Sequence, residues 1–421
     1  MRIIVEGWRF LFHSYSVINQ FILMEMSKRP HLHIFHKDMP FLDQKWETHI
    51  SLTDPKTQIL RQIASPSPQE EVDAVFRIYC PWNFHSSPQG KTWVFALTEW
   101  GVIDNNVLGG IGVSNIRETP VNSEVMVITS SNWSKQGLIH SGLERDRISV
   151  IPLGFDPSLY YPLPDAERKA LRRALGWEES FVFLNLGGCN ARKGIRVLLK
   201  AFASIAEKHP QVKLVLKGSD VLYGSQAQIE DACKTLLSDY GRSQLLPKIS
   251  YTGSQLSYQQ IAQLYQAADV YVSPYLAEGF NLPVLEAAAC GLPVICTENG
   301  PTDDFTHPDF AFRISSQLTS RIFEEEKLFL LEPNWEHLVS LMENAIAQPA
   351  LISKARHRGP EYVSQRFTWK HIVDEVLETM TSSPTRAIIR KPGFEPIILE
   401  KEEGRRKKEE GNTPYGVAPS C

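Results

Sequence analysis

The chain has 421 residues, of which 43% are hydrophobic and 22% charged, and its formal net charge is −4. This composition is typical of a globular protein, and the length predicts two domains rather than one. The weakly acidic balance argues against nucleic acid as a partner, and the absence of an apolar run of roughly 18 residues argues against a membrane-spanning helix.

The six cysteines are scattered, with no CxxC pair and no metal-ligand spacing. Such usage predicts a reducing compartment, and therefore a cytoplasmic protein without a bound metal. The first residues lack the apolar run and small-residue cleavage site of a secretory signal, so none is predicted. Peripheral contact with a membrane is compatible with this sequence.

The first part of the chain alternates short apolar runs with polar or helical segments. A β-rich run ends at Gly7, and an apolar-periodic segment beginning at His13 and Ser14 predicts a helix. Further strands are predicted at residues 74–78, 93–97, 125–129 and 148–153. The strand, glycine turn and helix at the start are typical of a Rossmann-like domain, which we predict over residues 1–163.

A second and more regular series follows an interdomain linker, which we place near residues 162–165 at the start of a charged, proline-bounded segment. Strands are predicted at residues 181–186, 212–216, 249–252, 270–273 and 293–297, and helices at residues 195–207, 258–268, 283–290 and 368–379. This alternation predicts a parallel, doubly wound sheet, and thus a second Rossmann-like domain at residues 164–381, facing the first across a cleft. Residues 382–421 are proline-rich and then densely charged, which predicts a disordered tail.

Two glutamates flank the start of one predicted helix in the second domain. The strand ending at Ser273 is followed by a turn with Glu278 and Gly279, and the helix begins near Pro283 with Glu286 one turn further on. Ligands of open α/β sheets bind at this carboxyl edge, where a helix N-terminus offers free N–H groups to an anion. An isolated glutamate at a helix start is usually a solvated surface residue. The pair around a glycine and a proline favours a ligand site.

The stretch EGFNLPVLEAAACGLPVI, with Glu278 and Glu286 separated by seven residues, resembles the E-x7-E signature of retaining GT-B glycosyltransferases. Sucrose synthase, glycogen synthase and many bacterial mannosyl- and glucosyltransferases belong to this family. The segments NLGGCNARKGIRVLLKAF, LVLKGSD and ISYTGSQLSYQQIAQLYQAADVYVSP are similar to its other motifs, in the same order. The resemblance covers residues 125–304 well, the first third of the chain weakly and the tail not at all.

The resemblance implies a two-domain GT-B fold and a donor site for a nucleoside-diphosphate sugar, with no metal and no separate cofactor. Glu286 would bind the donor ribose, and Glu278 would face the transferred sugar. Lys193 and Arg192 would neutralise the diphosphate during catalysis. The remaining residues that the resemblance assigns to donor binding are Gly7, Gly187, Gly188, Lys217, Gly218, Gly279, Phe280, Asn281 and Leu282.

The sequence departs from the family pattern at two positions. Gly188 stands where family members usually carry a cation, so the second cation would be Arg192, or the diphosphate would be held more loosely. Arg192 and Lys193 could also be solvated residues at a helix start. In the first domain the strand near residues 94–97 ends in Thr98 and Glu99, where many members have a histidine. His85 is a candidate substitute, although a lone loop histidine is more often solvated.

The acceptor side is the least specified part of the site. Several aromatic residues of the first domain could line an acceptor pocket or belong to its core, which is the commoner case for half-buried aromatics. These residues are Trp8, Phe10, Phe12, Trp82 and Phe84. The preferred hypothesis is retaining transfer of a hexose to a hydroxyl of a glycan, lipid or small molecule. The alternatives are an epimerase or phosphorylase on the same scaffold, and a non-catalytic relative that binds a nucleotide sugar or a protein partner.

Overall fold

The computed structural model describes residues 1–43, 46, 55–103, 124–323 and 326–382. Within these residues the chain forms two six-stranded parallel sheets and one antiparallel hairpin. The two predicted Rossmann-like domains are therefore confirmed. The predicted disordered tail at residues 382–421 lies, apart from its first residue, outside the described part of the chain.

The first sheet is built from six strands with short apolar cores. They are β1 (Arg2–Gly7), β2 (His33–Asp38), β3 (Ala74–Ile78), β4 (Lys91–Phe95), β5 (Met126–Thr129) and β6 (Ile148–Val150), in the order β2-β1-β3-β4-β5-β6. Its helices are α1 (Ser14–Met26), α2 (Pro55–Gln62) and α3 (Asn132–His140). β3 is buried along its whole length, because helices cover both faces of a parallel sheet.

The second sheet has the strand order of the Rossmann fold. Its strands are β7 (Phe181–Leu186), β8 (Val212–Lys217), β9 (Ile249–Thr252), β10 (Val270–Ser273), β11 (Val294–Thr297) and β12 (Ala311–Ile314), in the order β12-β11-β10-β7-β8-β9. The helices are α4 (Asp165–Ala174), α5 (Ile195–Lys208), α6 (Asp220–Tyr223), α7 (Ser225–Leu236), α8 (Asp239–Leu245), α9 (Tyr258–Ala267) and α10 (Leu282–Ala289). The direction of strand addition reverses between β7 and β10, which is where ligands bind in such sheets.

The end of the chain contains elements that the sequence pattern did not predict. The hairpin consists of β13 (Ser316–Phe323) and β14 (Glu326–Pro333), and helices α11 (Trp335–Ala347) and α12 (Pro349–Ser364) follow it. The hairpin reaches the first domain, where the Phe329 N–H donates to the Trp100 carbonyl at 2.8 Å. β2 and β12 were also not predicted.

The last helix, α13 (Trp369–Thr381), connects the two halves of the molecule. Although it is the last element of the second domain in sequence, it packs on α1 of the first. The Trp369 and Phe21 rings stack at a centroid distance of 5.5 Å, and Arg29 forms an ion pair with Asp374. The two sheets are thus tied together behind the cleft.

Across the described ranges, none of the helices combines the length and apolar character needed to cross a membrane. The same ranges contain no group of three or more His, Cys, Asp or Glu side chains placed to hold a metal ion.

Candidate active site

A cleft of about 290 Å³ lies between the carboxyl edges of the two sheets. Loops after β7, β8, β9 and β10 form one wall, and residues following β1 and β4 form the other. All of the predicted site residues except Gly7 line it. They are Gly187, Gly188, Arg192, Lys193, Lys217, Gly218, Glu278, Gly279, Phe280, Asn281, Leu282 and Glu286.

Gly7 lies at the end of β1, behind the cleft wall. A Cβ there would come within 2.7 Å of the Asn19 side-chain nitrogen and 2.8 Å of the Ile78 carbonyl oxygen, so the glycine permits close packing of the first helix. Phe12 and Ser14, from the same connection, reach the cleft instead. His13 is buried and caps α1, because its Nδ1 accepts the Tyr15 N–H at 3.3 Å.

Four side chains of acidic and basic residues meet at the centre of the cleft, and we call Glu99, Arg192, Lys193 and Glu278 the charge cluster. Nη1 of Arg192 lies 3.1 Å from Oε2 of Glu278 and 3.0 Å from Oε1 of Glu99. Lys193 forms a close ion pair with the other oxygen of Glu278. Burial lowers the pKa of Arg192, but Glu99 and Glu278 raise it by more, so this pKa is raised overall. Arg192 and Lys193 are therefore ordered within the cleft, which disfavours the alternative that they are solvated.

Two loops must touch to assemble the charge cluster. The Asn190 side chain accepts the Lys193 N–H at 3.1 Å and closes a short 3₁₀ turn, and the Arg192 carbonyl accepts the Leu276 N–H at 2.8 Å. Gly194 ends this turn with φ of +72°, and a Cβ on it would lie only 1.8 Å from the Pro274 carbonyl oxygen. Only glycine fits both the backbone angle and the contact.

The close approach of Gly194 to the Pro274 carbonyl leads to a prediction about stability. We expect Gly194→Ala to reduce the free energy of unfolding by about 3 kcal/mol or more, because it adds a backbone clash to an unfavourable φ. Gly224→Ala is the matched control, since Gly224 has φ of +56° but no atom within 4 Å of its Cβ position. That control is expected to cost about 1–2 kcal/mol. Equal losses for the two variants in urea unfolding would contradict this account.

Glu286 lies on the same wall of the cleft. It lies one turn into α10 and is only 8% exposed, and its Oε2 accepts the Tyr265 hydroxyl at 2.9 Å. Burial raises the pKa of Glu286 to about 7, while hydrogen bonds from Tyr265 and Tyr160 lower it by less. A buried carboxyl poised near neutrality is a feature of ligand-binding and catalytic sites.

The loop before α10 is held by both domains. The Gly279 carbonyl accepts hydrogen bonds from the hydroxyls of Ser131 at 2.6 Å and Ser130 at 3.2 Å, both from the first domain. Asn281 precedes the helix with φ of +75°, an unusual angle for a residue with a side chain, and its amide donates to Ser273 Oγ at 2.9 Å. The residues at the N-terminus of α10 line the cleft, where the positive end of the helix dipole favours an anion.

Tyr223 explains the first departure from the family pattern. A Cβ on Gly188 would lie 2.8 Å from Cδ2 of the Tyr223 ring, so the ring fills the space that a side chain at position 188 would need. Burial raises the pKa of Tyr223 to about 12, and nearby Arg192 lowers it by less. No sequence signal indicates Tyr223, because a lone tyrosine in the single turn of α6 belongs to no motif.

Glu99 was noted in the sequence only as standing where a histidine was expected. Its position after β4 is set by α3, since the Trp133 indole donates to the Glu99 carbonyl at 2.9 Å and Ser134 Oγ accepts the Thr98 N–H at 2.7 Å. The side chain reaches across the cleft to Arg192. The signal that could have identified it was a charged residue in the connection that follows a buried parallel strand.

Of the other acceptor-side candidates, only Phe12 lines the cleft. His85 is outside the cleft lining, and its carbonyl accepts a hydrogen bond from Arg77 at 2.5 Å. Trp8, Trp82 and Phe84 are at most 3% exposed and belong to the core of the first domain, the commoner of the two interpretations considered for them. Phe10 packs against the core, and Phe12 lines the cleft.

Comparison with known proteins places these features in a family. Residues 167–366 match the model for the glycosyl transferases group 1. The chain is 27% identical over 254 residues to the mannosylfructose-phosphate synthase of Agrobacterium fabrum, covering 60% of this chain and 52% of that protein. It is 25% identical over 258 residues to the D-inositol 3-phosphate glycosyltransferase of Rhodococcus opacus, covering 61% and 53%. The matched region thus spans about half the length of these relatives.

Solved structures share the fold over nearly the whole chain. Anabaena HepE, in complex with UDP and glucose, superposes with a TM-score of 0.62 at 17% identity, covering 91% of this chain and 100% of that one. The sucrose-phosphate synthase of Thermosynechococcus elongatus superposes with a TM-score of 0.62 at 18% identity, covering 90% and 98%. These likenesses confirm the predicted GT-B fold. The sequence match shows that residues 167–366 form a domain of the group 1 glycosyltransferase family.

Proposed function

We propose that this protein is a retaining glycosyltransferase that moves a hexose from a nucleoside-diphosphate sugar to an acceptor hydroxyl. The observation that carries the proposal is the single cleft that unites Glu278 and Glu286 with Arg192 and Lys193 at the start of α10. A carboxyl suited to ribose hydroxyls and two cations suited to a diphosphate lie within one ligand-sized space. The family match of the second domain supports the same activity.

The donor is proposed to lie along the carboxyl edge of the second sheet. Glu286 binds the ribose hydroxyls, and the loop at residues 253–256, which lines the cleft beside Tyr258, faces the base. Lys193, Arg192 and the N-terminus of α10 bind the diphosphate, with Gly187, Gly188 and Gly218 allowing its close approach. Glu278 orients the two cations and lies at the sugar end. HepE and its UDP complex make UDP the first nucleotide to test.

In the proposed reaction the bond between sugar C1 and the β-phosphate oxygen breaks, and a new bond forms between C1 and the acceptor oxygen. The acceptor proton passes to the departing phosphate, so the products are the glycoside and a nucleoside diphosphate. Arg192, Lys193 and the positive end of the α10 dipole stabilise the charge that develops on the leaving group. Retention rests on the E-x7-E pattern of Glu278 and Glu286. The absence of a separate cofactor and the cytoplasmic location stay predictions from the sequence.

A panel of nucleotides tests the donor assignment. The melting temperature of the protein is measured with UDP, GDP, ADP and their common sugars, in large excess. One base series is expected to stabilise the protein by roughly 3–4 kcal/mol, as a ligand far above its dissociation constant does. Release of the nucleoside diphosphate from that donor is then followed with glycan, lipid and small hydroxyl acceptors. If no series shifts the melting temperature, the proposal is wrong.

A further inference from the structure

We infer that Glu99 pairs with Arg192 across the cleft in the ligand-free protein and competes with the donor diphosphate for its guanidinium. This inference rests on the proposed function, because it concerns how the Arg192 guanidinium becomes available to the donor diphosphate. Glu99 belongs to the first domain and Arg192 to the second, so their 3.0 Å ion pair crosses the cleft.

The competition follows from the charges in the cleft. The charge cluster contains two carboxylates and two cations, so its formal charges cancel before any ligand enters. A diphosphate brings about two further negative charges into a site of low exposure, where the Glu99 side chain is 13% exposed and Arg192 is 15% exposed. Charge pairs in such surroundings are screened less than at the surface. The N–H donors and the positive charge of Arg192 must therefore be shared among Glu99, Glu278 and the phosphates.

The geometry allows Arg192 to leave Glu99 without losing its place. Its other contacts are within its own domain, with Glu278 Oε2 at 3.1 Å and the Ala277 carbonyl at 3.1 Å. These contacts anchor the guanidinium at the phosphate side of the cleft. Glu99, in contrast, is the contact that draws Arg192 towards the first domain. Removing the Glu99 charge leaves a cluster with a formal charge of +1, which attracts an anion more strongly.

The test uses inorganic pyrophosphate, which carries the diphosphate without a base or a sugar. Thermal-shift titrations compare the full-length wild type with Glu99→Gln and Glu99→Asp. Glu99→Gln is expected to reach its half-maximal shift at a pyrophosphate concentration about tenfold lower, while Glu99→Asp keeps the charge and stays within about threefold of the wild type. A purely structural role would weaken binding in both variants rather than strengthen it in one.

A second interdomain carboxylate provides the control. Asp304 accepts the Asn132 N–H at 2.7 Å and the Asn132 amide at 3.1 Å, outside the cleft lining. Asp304→Asn loosens a contact between the domains without changing the charge cluster, so its pyrophosphate response is expected to match the wild type. The inference is overturned if Glu99→Gln gains no affinity, if Asp304→Asn gains as much, or if none of the proteins responds to pyrophosphate. Failure of the proposed function is seen separately, as the absence of a response to nucleotides in the wild type.

Discussion

Replacement of Glu286 by glutamine is expected to stabilise the nucleotide-free protein above neutral pH while weakening nucleotide binding. The stability effect follows from the pKa, which burial raises from 4.5 to about 7. The native state therefore holds this proton more tightly than the unfolded chain does. Stability falls as the pH rises from about 4.5 through about 7, and the full penalty of a buried charge remains above that range.

Glutamine has nearly the same shape as glutamate but carries no charge. We expect Glu286→Gln to increase the free energy of unfolding by roughly 3–3.5 kcal/mol at pH 8 and by little at pH 4.5, since the pKa rises from 4.5 to about 7 and one pKa unit corresponds to about 1.4 kcal/mol. The amide can still pair with Tyr265 and Tyr160, whose hydroxyls surround this position. The gain is measured by urea unfolding at the two pH values.

The binding effect has the opposite sign. A carboxylate accepts hydrogen bonds from two ribose hydroxyls, whereas an amide presents one acceptor oxygen and one donor group. Hydrogen bonds to a charged group contribute about 1.5–3 kcal/mol, so the nucleotide affinity of Glu286→Gln is expected to fall about tenfold or more. Glu336→Gln, at an exposed position of α11, should leave both quantities unchanged. Unchanged nucleotide affinity in Glu286→Gln would remove Glu286 from the donor site.

Loss of Lys193 is expected to weaken donor binding more than the change of Glu286 to glutamine does. Lys193 lies beside Glu278 on the turn that faces the N-terminus of α10, and we propose that it contacts the diphosphate directly. A charge-assisted contact of this kind contributes about 2–3 kcal/mol, so Lys193→Met should bind the nucleoside diphosphate about 100-fold more weakly. Release of nucleoside diphosphate should fall further, because the leaving group gains charge during the reaction.

Arg196→Met is the matched control for Lys193→Met. Arg196 lies one turn further along, in α5, and its guanidinium contacts the exposed Asp231 at 2.6 Å rather than the cleft. The control removes the same charge from almost the same place, and we expect its nucleotide affinity to stay within about twofold of the wild type. Calorimetric titration separates binding from the stability of each nucleotide-free protein. Equal losses in the two variants would point to a general electrostatic effect instead of a diphosphate contact.

The sequence predicted the donor wall of the cleft well, because that wall is built from local signals. Each of these signals depends on the local backbone. They are a glycine after a buried strand, a proline at a helix start and two glutamates at a fixed spacing. These signals predict that Glu286 and Lys193 share one carboxyl edge of the second sheet, and both side chains line the cleft there.

The opposite wall could not be predicted in the same way. Glu99 acquires its role only from Arg192, which lies 93 positions away in the other domain. Tyr223 fills the space above Gly188, a contact between two loops that no periodic pattern encodes. The hairpin of β13 and β14 was also missed, because neither its mixed polar and apolar residues nor the residues before them show a strand pattern. Contacts that depend on the packing of two domains leave no pattern within either segment.

Direct observation of donor turnover tests the central claim of retaining sugar transfer. The nucleotide sugar selected by the panel is incubated with the protein and the best acceptor, and proton NMR follows the anomeric signals from the first turnovers. We predict release of the nucleoside diphosphate together with a product of the same anomeric configuration as the donor. In Lys193→Met, we expect neither the released nucleoside diphosphate nor the product to be detected. A product of inverted configuration would contradict retention, and a donor that binds but is never consumed with any acceptor would contradict transfer.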